Sequence, residues 1–278
     1  MTSALLANIL VLCGLAGVSA FALYFISQKF AIKHDPLIDK IYEILPHANC
    51  GACGHAGCQA FAESCAKADE SEFAELNCPV GGQKVMNSIA AIKGFQAAQK
   101  ERTCAVLMCQ GSCQNSPMKT EYTGIQSCRA ASQVMSSSGG CPNGCLHFGD
   151  CVKVCKFGAL SMNPQTQMPE IDYNKCTSCG ACVQRCPRGL FEIRVVQDNS
   201  QVYTACRNKQ KGAIARKNCL KACIACGKCA KINPEIEIKD NLSYIPSSVN
   251  PSKYGQQLAE ECPTKAIVYR ENMTKGED

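Results

Sequence analysis

From Ala4 to Ile26 the chain runs through 23 positions without a charge, broken only by Asn8, Ser19 and small residues. About 20 apolar residues cross a hydrocarbon core as a helix, so the pattern predicts a transmembrane anchor over residues 1–28. A cleaved signal peptide would carry Lys or Arg ahead of the apolar run, and Met1-Thr2-Ser3 offers neither. The cations Lys29 and Lys33 follow it. Cations favour the inner face, so the amino terminus should lie outside and everything after Lys29 in the cytoplasm, against the inner membrane. Beyond Asp35-Pro36 the apolar period becomes helical, with Leu37, Ile38, Ile41, Ile44 and Leu45 leading to Pro46. Later runs are short. Thr103–Met108 reads as a strand, Gly124–Met135 as a helix, and Ser136–Gly140 as a linker. Ala159–Met162 with Met168–Ile171, and Ile236–Lys239 with Leu242–Ile245, read as two hairpins, the second turning at Asp240-Asn241.

Cysteine changes this picture most. There are 24 in 278 residues, and they cluster at metal-ligand spacing, which favours a reducing compartment over a disulfide framework. Cys176-Thr-Ser-Cys179-Gly-Ala-Cys182-Val-Gln-Arg-Cys186-Pro187 is a C-x2-C-x2-C-x3-C-P run. Three such thiolates wrap one iron–sulfur cube and the fourth serves a second one. Structural zinc would use paired C-x2-C units with a longer spacer. The net charge of +6 is modest, and no aromatic-interleaved basic motif points to nucleic acid.

Residues 34–95 hold Cys50, Cys53, Cys58 and Cys78, in C-x2-C-x4-C-x19-C order, sufficient for one 4Fe-4S cluster. Zinc is the alternative there, His55 is a loop residue, and Cys65 is a spare thiol. An insert over 96–140 carries Cys109, Cys113 and Cys128, three candidate ligands that Cys206 or Cys219 could complete to a fifth cluster, or else free thiols.

Residues 141–205 carry the two-halved pattern of a bacterial two-cluster ferredoxin, in which the halves exchange fourth ligands. Regular spacing from Cys145 meets Phe148 where a thiol belongs, so Cys141 is expected to substitute. One cluster should take Cys141, Cys145, Cys151 and Cys186, and the other Cys155, Cys176, Cys179 and Cys182. Lys156 replaces the usual proline after Cys155. Residues 206–278 repeat the pattern with losses. Cys223, Cys226, Cys229 and Cys262 remain, whereas Asn233, Ser252, Gly255 and Leu258 stand at the four ligand positions of the other cluster. The losses remove one cluster and keep its neighbour. The fold class is α+β: one amino-terminal transmembrane helix, a small mainly helical 4Fe-4S domain, and tandem bacterial-ferredoxin-like cluster domains with at least four clusters, five if the insert holds one.

Taken together, the anchor, the Asn49-to-Cys58 loop with Cys78-Pro79-Val-Gly-Gly82, the Gly124-Ile-Gln-Ser-Cys128 segment and the tandem motifs resemble the B subunit of Rnf complexes in its long form. That resemblance implies a membrane complex passing electrons between reduced ferredoxin and NAD⁺, coupled to Na⁺ or H⁺ transport. It implies that this chain takes electrons from ferredoxin and has other membrane and cytoplasmic subunits as partners. No acid–base pair, nucleophile or phosphate loop appears, so chemistry on NAD⁺ falls to a partner. The alternatives are a redox sensor, for which no output module is left over, or a relay subunit of another membrane oxidoreductase. Arg207, Lys209, Lys211, Arg216, Lys217 and Lys221 form a run of cations without an acid between them. It reads either as a solvated face or subunit contact, or as a site that steers an acidic ferredoxin.

Overall fold

The computed structural model describes residues 2–29 and 35–273. Helix α1 (Thr2–Lys29) has 28 residues. At 1.5 Å rise per residue it is about 42 Å long, more than the roughly 30 Å of a hydrocarbon core. Its Leu10–Gln28 window is apolar enough to cross a membrane, and Leu10, Leu15, Val18 and Phe21 are exposed around it. A helix apolar on every side needs an apolar surrounding, and the protein supplies none here. Lys33, one of the two orienting charges, lies outside the described residues.

A helical unit follows. Helix α2 (Pro36–Ile44) starts where the Asp35 carboxylate accepts the Leu37 N–H at 2.9 Å, with proline in the first turn. Next come α3 (Cys58–Lys67) and α4 (Glu70–Glu75), the latter opened by a reciprocal cap between Asp69 and Glu72. Helix α5 (Gly82–Lys93) is stopped by Gly94 at φ 73°. Ile41, Leu45, Phe61, Phe73, Met86 and Ile89 form the core. Lys93 reaches the carbonyls of Cys65, Ala66 and Ala68, satisfying the end of α3.

The next unit contains β1 (Thr103–Leu107), α6 (Cys128–Val134), α7 (Asp150–Lys153), β2 (Leu160–Met162), β3 (Pro169–Ile171), α8 (Ala181–Arg185) and β4 (Phe191–Val195). Strand β1 pairs antiparallel with β4, from Thr103↔Val195 to Leu107↔Phe191. The insert is therefore laced into the cysteine-rich unit after it. The helix expected from Gly124 is shorter than its apolar pattern suggested. It begins at Cys128 because Ser127 Oγ and the Arg129 N–H both donate to the Asp150 carboxylate, at 2.7 and 3.2 Å, fixing the first turn there.

The last unit contains β5 (Gln201–Thr204), α9 (Gly212–Asn218), α10 (Lys228–Ile232), β6 (Glu237–Lys239), β7 (Leu242–Tyr244), α11 (Pro251–Glu261) and β8 (Ile267–Arg270). Strands β5 and β8 pair antiparallel, Gln201 opposite Arg270. Both hairpins form where the sequence placed them, β2 with β3 and β6 with β7. Asp240 and Asn241 take φ 51° and 59° to turn the second one. The two units share a backbone signature. Ser178 and Gly180 have φ 59° and 73° before α8, and Ala225 and Gly227 have 54° and 78° before α10. Buried Arg194 links them, donating to the carbonyls of Val202 and Ile245 while pairing with Glu192 at 3.3 Å.

Candidate metal centres

In the helical unit the Cys50–Cys58 loop is held by one side chain. Asn49 Oδ1 accepts the Cys58 N–H at 2.9 Å, and a Cβ on Gly57 would sit 2.9 Å from the same oxygen, so a larger residue there would displace the Asn49 side chain from this bond. Cys58 and Cys78 are buried at its inner side, Cys53 packs on the same core, and Cys50 is half-exposed. The Gly81 N–H points at Cys78 Sγ from 3.4 Å. Burial raises the Cys78 thiol, with Cys53 and Cys58 as neighbours. Cys65 is wholly buried in that core with Cys53 and Cys78 as neighbours, its thiol pushed up to about 12 by burial. His55 lies 3.2 Å from Ser64 Oγ and edge-on to Phe61, a loop-packing role.

Cys128, Cys145, Cys151 and Cys186 line one cavity, walled by Leu107, Leu146, Met162, Leu190 and Phe191. This differs from the expected grouping, because Cys128 of the insert stands where Cys141 was assigned. The physical reason is Asp150. Burial raises its carboxyl, but donation from Ser127, Arg129 and Cys128 outweighs that and holds it below its ordinary value. The carboxylate thereby docks the start of α6, and Cys128 with it, beside Cys151. No sequence motif joins residues 22 positions apart in this way. Burial lifts the Cys128 thiol, and lifts Cys151 to about 12.

Cys141 lines a different cavity with Cys109, Cys206 and Cys219; Cys145 stands in the wall between the two. The sequence named Cys206 and Cys219 as alternative partners for Cys109, and the structure brings both to it. Cys113 is absent from this lining. Its Sγ faces the Gln165 carbonyl at 3.4 Å, and its N–H donates to Thr166 O. Burial pushes Cys109 up to about 12 and Cys141 to about 11. Backbone N–H groups of Gly111, His147 and Asn208 point at Cys109, Cys145 and Cys206 Sγ from 3.3, 3.4 and 3.5 Å.

Cys182 has Cys176 and Cys179 as neighbours, and burial raises its thiol to about 12. Cys155 and Cys176 pack on the same core. Fully buried Cys104 on β1 abuts Cys176 and keeps its proton, and its hydrogen bond holds the Cys176 thiol below its ordinary value. Cys223, Cys226, Cys229 and Cys262 line a third cavity, and the Ala266 N–H points at Cys262 Sγ from 3.3 Å.

At the four positions where the sequence lacks cysteines, other contacts are made. Asn233 Oδ1 accepts the Glu235 N–H at 2.8 Å, and Ser252 Oγ meets Ser200 Oγ at 3.1 Å. Gly255 faces the Tyr269 ring. Leu258 is fully buried among Val202, Ile236, Ile245 and Ile267.

These sites fit a polynuclear iron–sulfur group better than a single ion. Among the described residues no three His, Cys, Asp or Glu side chains converge as a mononuclear site requires. The thiols instead rim cavities, and in three of them backbone N–H groups point at sulfur. Thiols raised this far by burial become thiolates when a cationic core displaces their protons. The chain is thus an iron–sulfur protein of the electron-transfer class. Family models for a 4Fe-4S dicluster domain and for an Fe-S cluster match residues 140–190 and 45–72. The B subunit of an ion-translocating oxidoreductase complex from Methanosarcina acetivorans is 37% identical over 97% of this chain and 100% of its own length. The Clostridium ljungdahlii B subunit of a proton-translocating ferredoxin:NAD(+) oxidoreductase complex is 36% identical over 90% and 87%. That of an Na(+)-translocating complex from Acetobacterium woodii is 37% identical over 77% and 64%. The chain belongs to the family of B subunits of these ion-translocating, Rnf-type complexes.

Proposed function

We propose that this chain is the membrane-anchored subunit through which an Rnf-type complex receives electrons from reduced ferredoxin, for NAD⁺ reduction by a partner subunit coupled to Na⁺ or H⁺ movement. The observation that carries the reading is the sorting of cysteines into separate four-thiol sets. These are Cys50/Cys53/Cys58/Cys78, Cys128/Cys145/Cys151/Cys186, Cys109/Cys141/Cys206/Cys219, Cys155/Cys176/Cys179/Cys182 and Cys223/Cys226/Cys229/Cys262. The second and third sets revise the sequence-based pairing on the cavity linings above.

Bound 4Fe-4S clusters supply one-electron carriers whose potentials depend on hydrogen bonds to sulfur, charge and burial. The chain supplies the thiolates, the N–H groups aimed at them, and apolar walls that exclude water. It also supplies the order. Cys223 neighbours Cys206, Cys141 neighbours Cys206 and Cys219, and Cys145 neighbours both Cys109 and Cys151. Cys151 and Cys182 share one core. Four of the five sets therefore follow one another from the last unit to the first ferredoxin-like unit. The tandem ferredoxin-like reading is supported by the shared backbone signature at Ser178/Gly180 and Ala225/Gly227. The amino terminus lies outside and the cysteine units in the cytoplasm, on the argument of Lys29 and Lys33.

Iron and sulfide analysis of the purified chain, with paramagnetic resonance after reduction, tests this. Five sets predict about twenty irons and about twenty sulfides per chain. Zinc in place of iron, or iron without sulfide, would overturn it.

A further inference from the structure

The stretch from Lys211 to Lys221 is anchored between two of the thiol cavities. At one end a Cβ on Gly212 would lie 2.6 Å from the Ile224 carbonyl oxygen, so α9 rests directly on the loop carrying Cys223 and Cys226. At the other end Cys219 and Lys221 line the cavity shared with Cys109 and Cys141. Ser116 Oγ donates to Asn218 O at 2.9 Å and the Leu220 N–H to Asn115 O at 2.8 Å, fixing that end.

Its outer side has the composition of an interface. Ile214 and Leu220 are 49% and 52% exposed, on a segment whose cations have no acid among them. Arg207 and Lys209 are neutralised from outside, by Glu192 at 2.7 Å and Asp240 at 3.0 Å. Lys211, Arg216, Lys217 and Lys221 make no ion pair among the described residues. Outside α1, Cys226 is the one exposed cysteine among the described residues, and it lies in the loop under α9. Two apolar side chains with a cationic rim, beside the set that holds this exposed thiol, suit a protein partner of opposite charge that must come close to that set. The lack of aromatic side chains in the segment disfavours nucleic acid.

We propose that the exposed face of α9, with Lys221 and the Cys226 loop, is the docking surface for an acidic electron-carrier protein. The inference rests on the electron-receiving role proposed above and assigns it a place. Docking here sets the carrier against Cys226, at the end of the row of thiol sets. Exposed cations act over roughly 8–10 Å at physiological salt, so they steer encounter and orientation, and their effect fades as salt rises.

The test uses the full-length chain in detergent and an oxidised acidic two-cluster ferredoxin as the probe, with binding followed by titration calorimetry. Lys211→Glu/Lys217→Glu should weaken binding about tenfold at low salt and flatten its salt dependence. The equal-charge control Lys40→Glu/Lys84→Glu, in the helical unit, should change it less than about twofold, with iron content unchanged in both. Equal effects of the two pairs, or none from the first, would overturn the docking face. If the wild type still takes electrons from reduced ferredoxin in that case, the receiving role stands without this face. Failure of the wild type both to bind and to be reduced overturns the role and the face together. If the pair abolishes binding to vesicles of anionic lipid but not to ferredoxin, the patch belongs to the membrane surface and the proposal fails.

Discussion

Gly255→Ala would measure how tightly the last unit packs beside Gly255. Gly255 lies within α11, where alanine on its own would stabilise by about 1 kcal/mol. The new Cβ, however, would stand 2.5 Å from Tyr269 Cε2 and closer still to Cδ2. Those atoms belong to a ring whose backbone is paired with Val202 in the β5–β8 ladder. The ring can move away only by leaving its rotamer or shifting the strand. Overpacking of this kind costs about 1–3 kcal/mol. With an overlap this severe the upper end applies, leaving a net loss of about 2 kcal/mol once the helix gain is subtracted. Thermal unfolding of the last unit, followed in the purified chain, should shift down by about 8–16 °C. Tyr269→Ala removes the obstacle, so the cost of Gly255→Ala should vanish in that background, a coupling of about 1–3 kcal/mol. A variant as stable as wild type, or the same loss with Tyr269 already replaced, would refute the idea that the ring fills the space beside Gly255.

Cys128→Ser and Cys186→Ser should disturb the same centre, and Cys141→Ser a different one. Each should lose about four irons with distinct changes in the resonance spectrum. Cys113→Ser should leave iron content unchanged, and a loss of iron there would return that thiol to the ligands. Asp150→Ala removes the acceptor of the Ser127 and Arg129 bonds, with an expected cost of about 1–3 kcal/mol and a loosened Cys128. Asp150→Asn, which keeps an acceptor oxygen, should recover part of it, and denaturant melts with iron assays check both. Because the Asp150 carboxyl is held low, its stabilisation is present above the ordinary carboxylate range and fades only as pH falls through the lowered value.

Local pattern made much of this chain legible. The anchor, the α2 start at Asp35-Pro36, both hairpins and the regular C-x2-C-x2-C loops rest on interactions within a few residues, which spacing records. The register shared by the four losses was legible too. What spacing could not show is which distant thiols meet. Cys128 is delivered by a buried carboxylate at Asp150, and Cys109 is carried to Cys206 by the strand that ends two residues before it. Both depend on long-range contacts, the β1–β4 ladder above all, that leave no periodic trace. Counting along one motif presumes that a ligand set closes within it, and so could not show that the cavity Cys141 shares with Cys145 is also lined by Cys109, Cys206 and Cys219.

The cavity shared by Cys109, Cys141, Cys206 and Cys219 bears on how the chain matures. The Cys176–Cys182 loop can present its thiols as soon as it is synthesised, and the Cys50–Cys58 loop needs only its own helical unit. This cavity draws on the insert, the middle unit and the connection to the last unit, so its thiols come together only after those parts have folded onto one another. Filling it would then be a late step that fastens the two ferredoxin-like units together. In cells limited for iron, the connection around residues 206–221 should be cut by protease before the Cys50–Cys78 unit is. Equal resistance of the iron-poor and iron-replete chains at that connection would argue against a late fastening step.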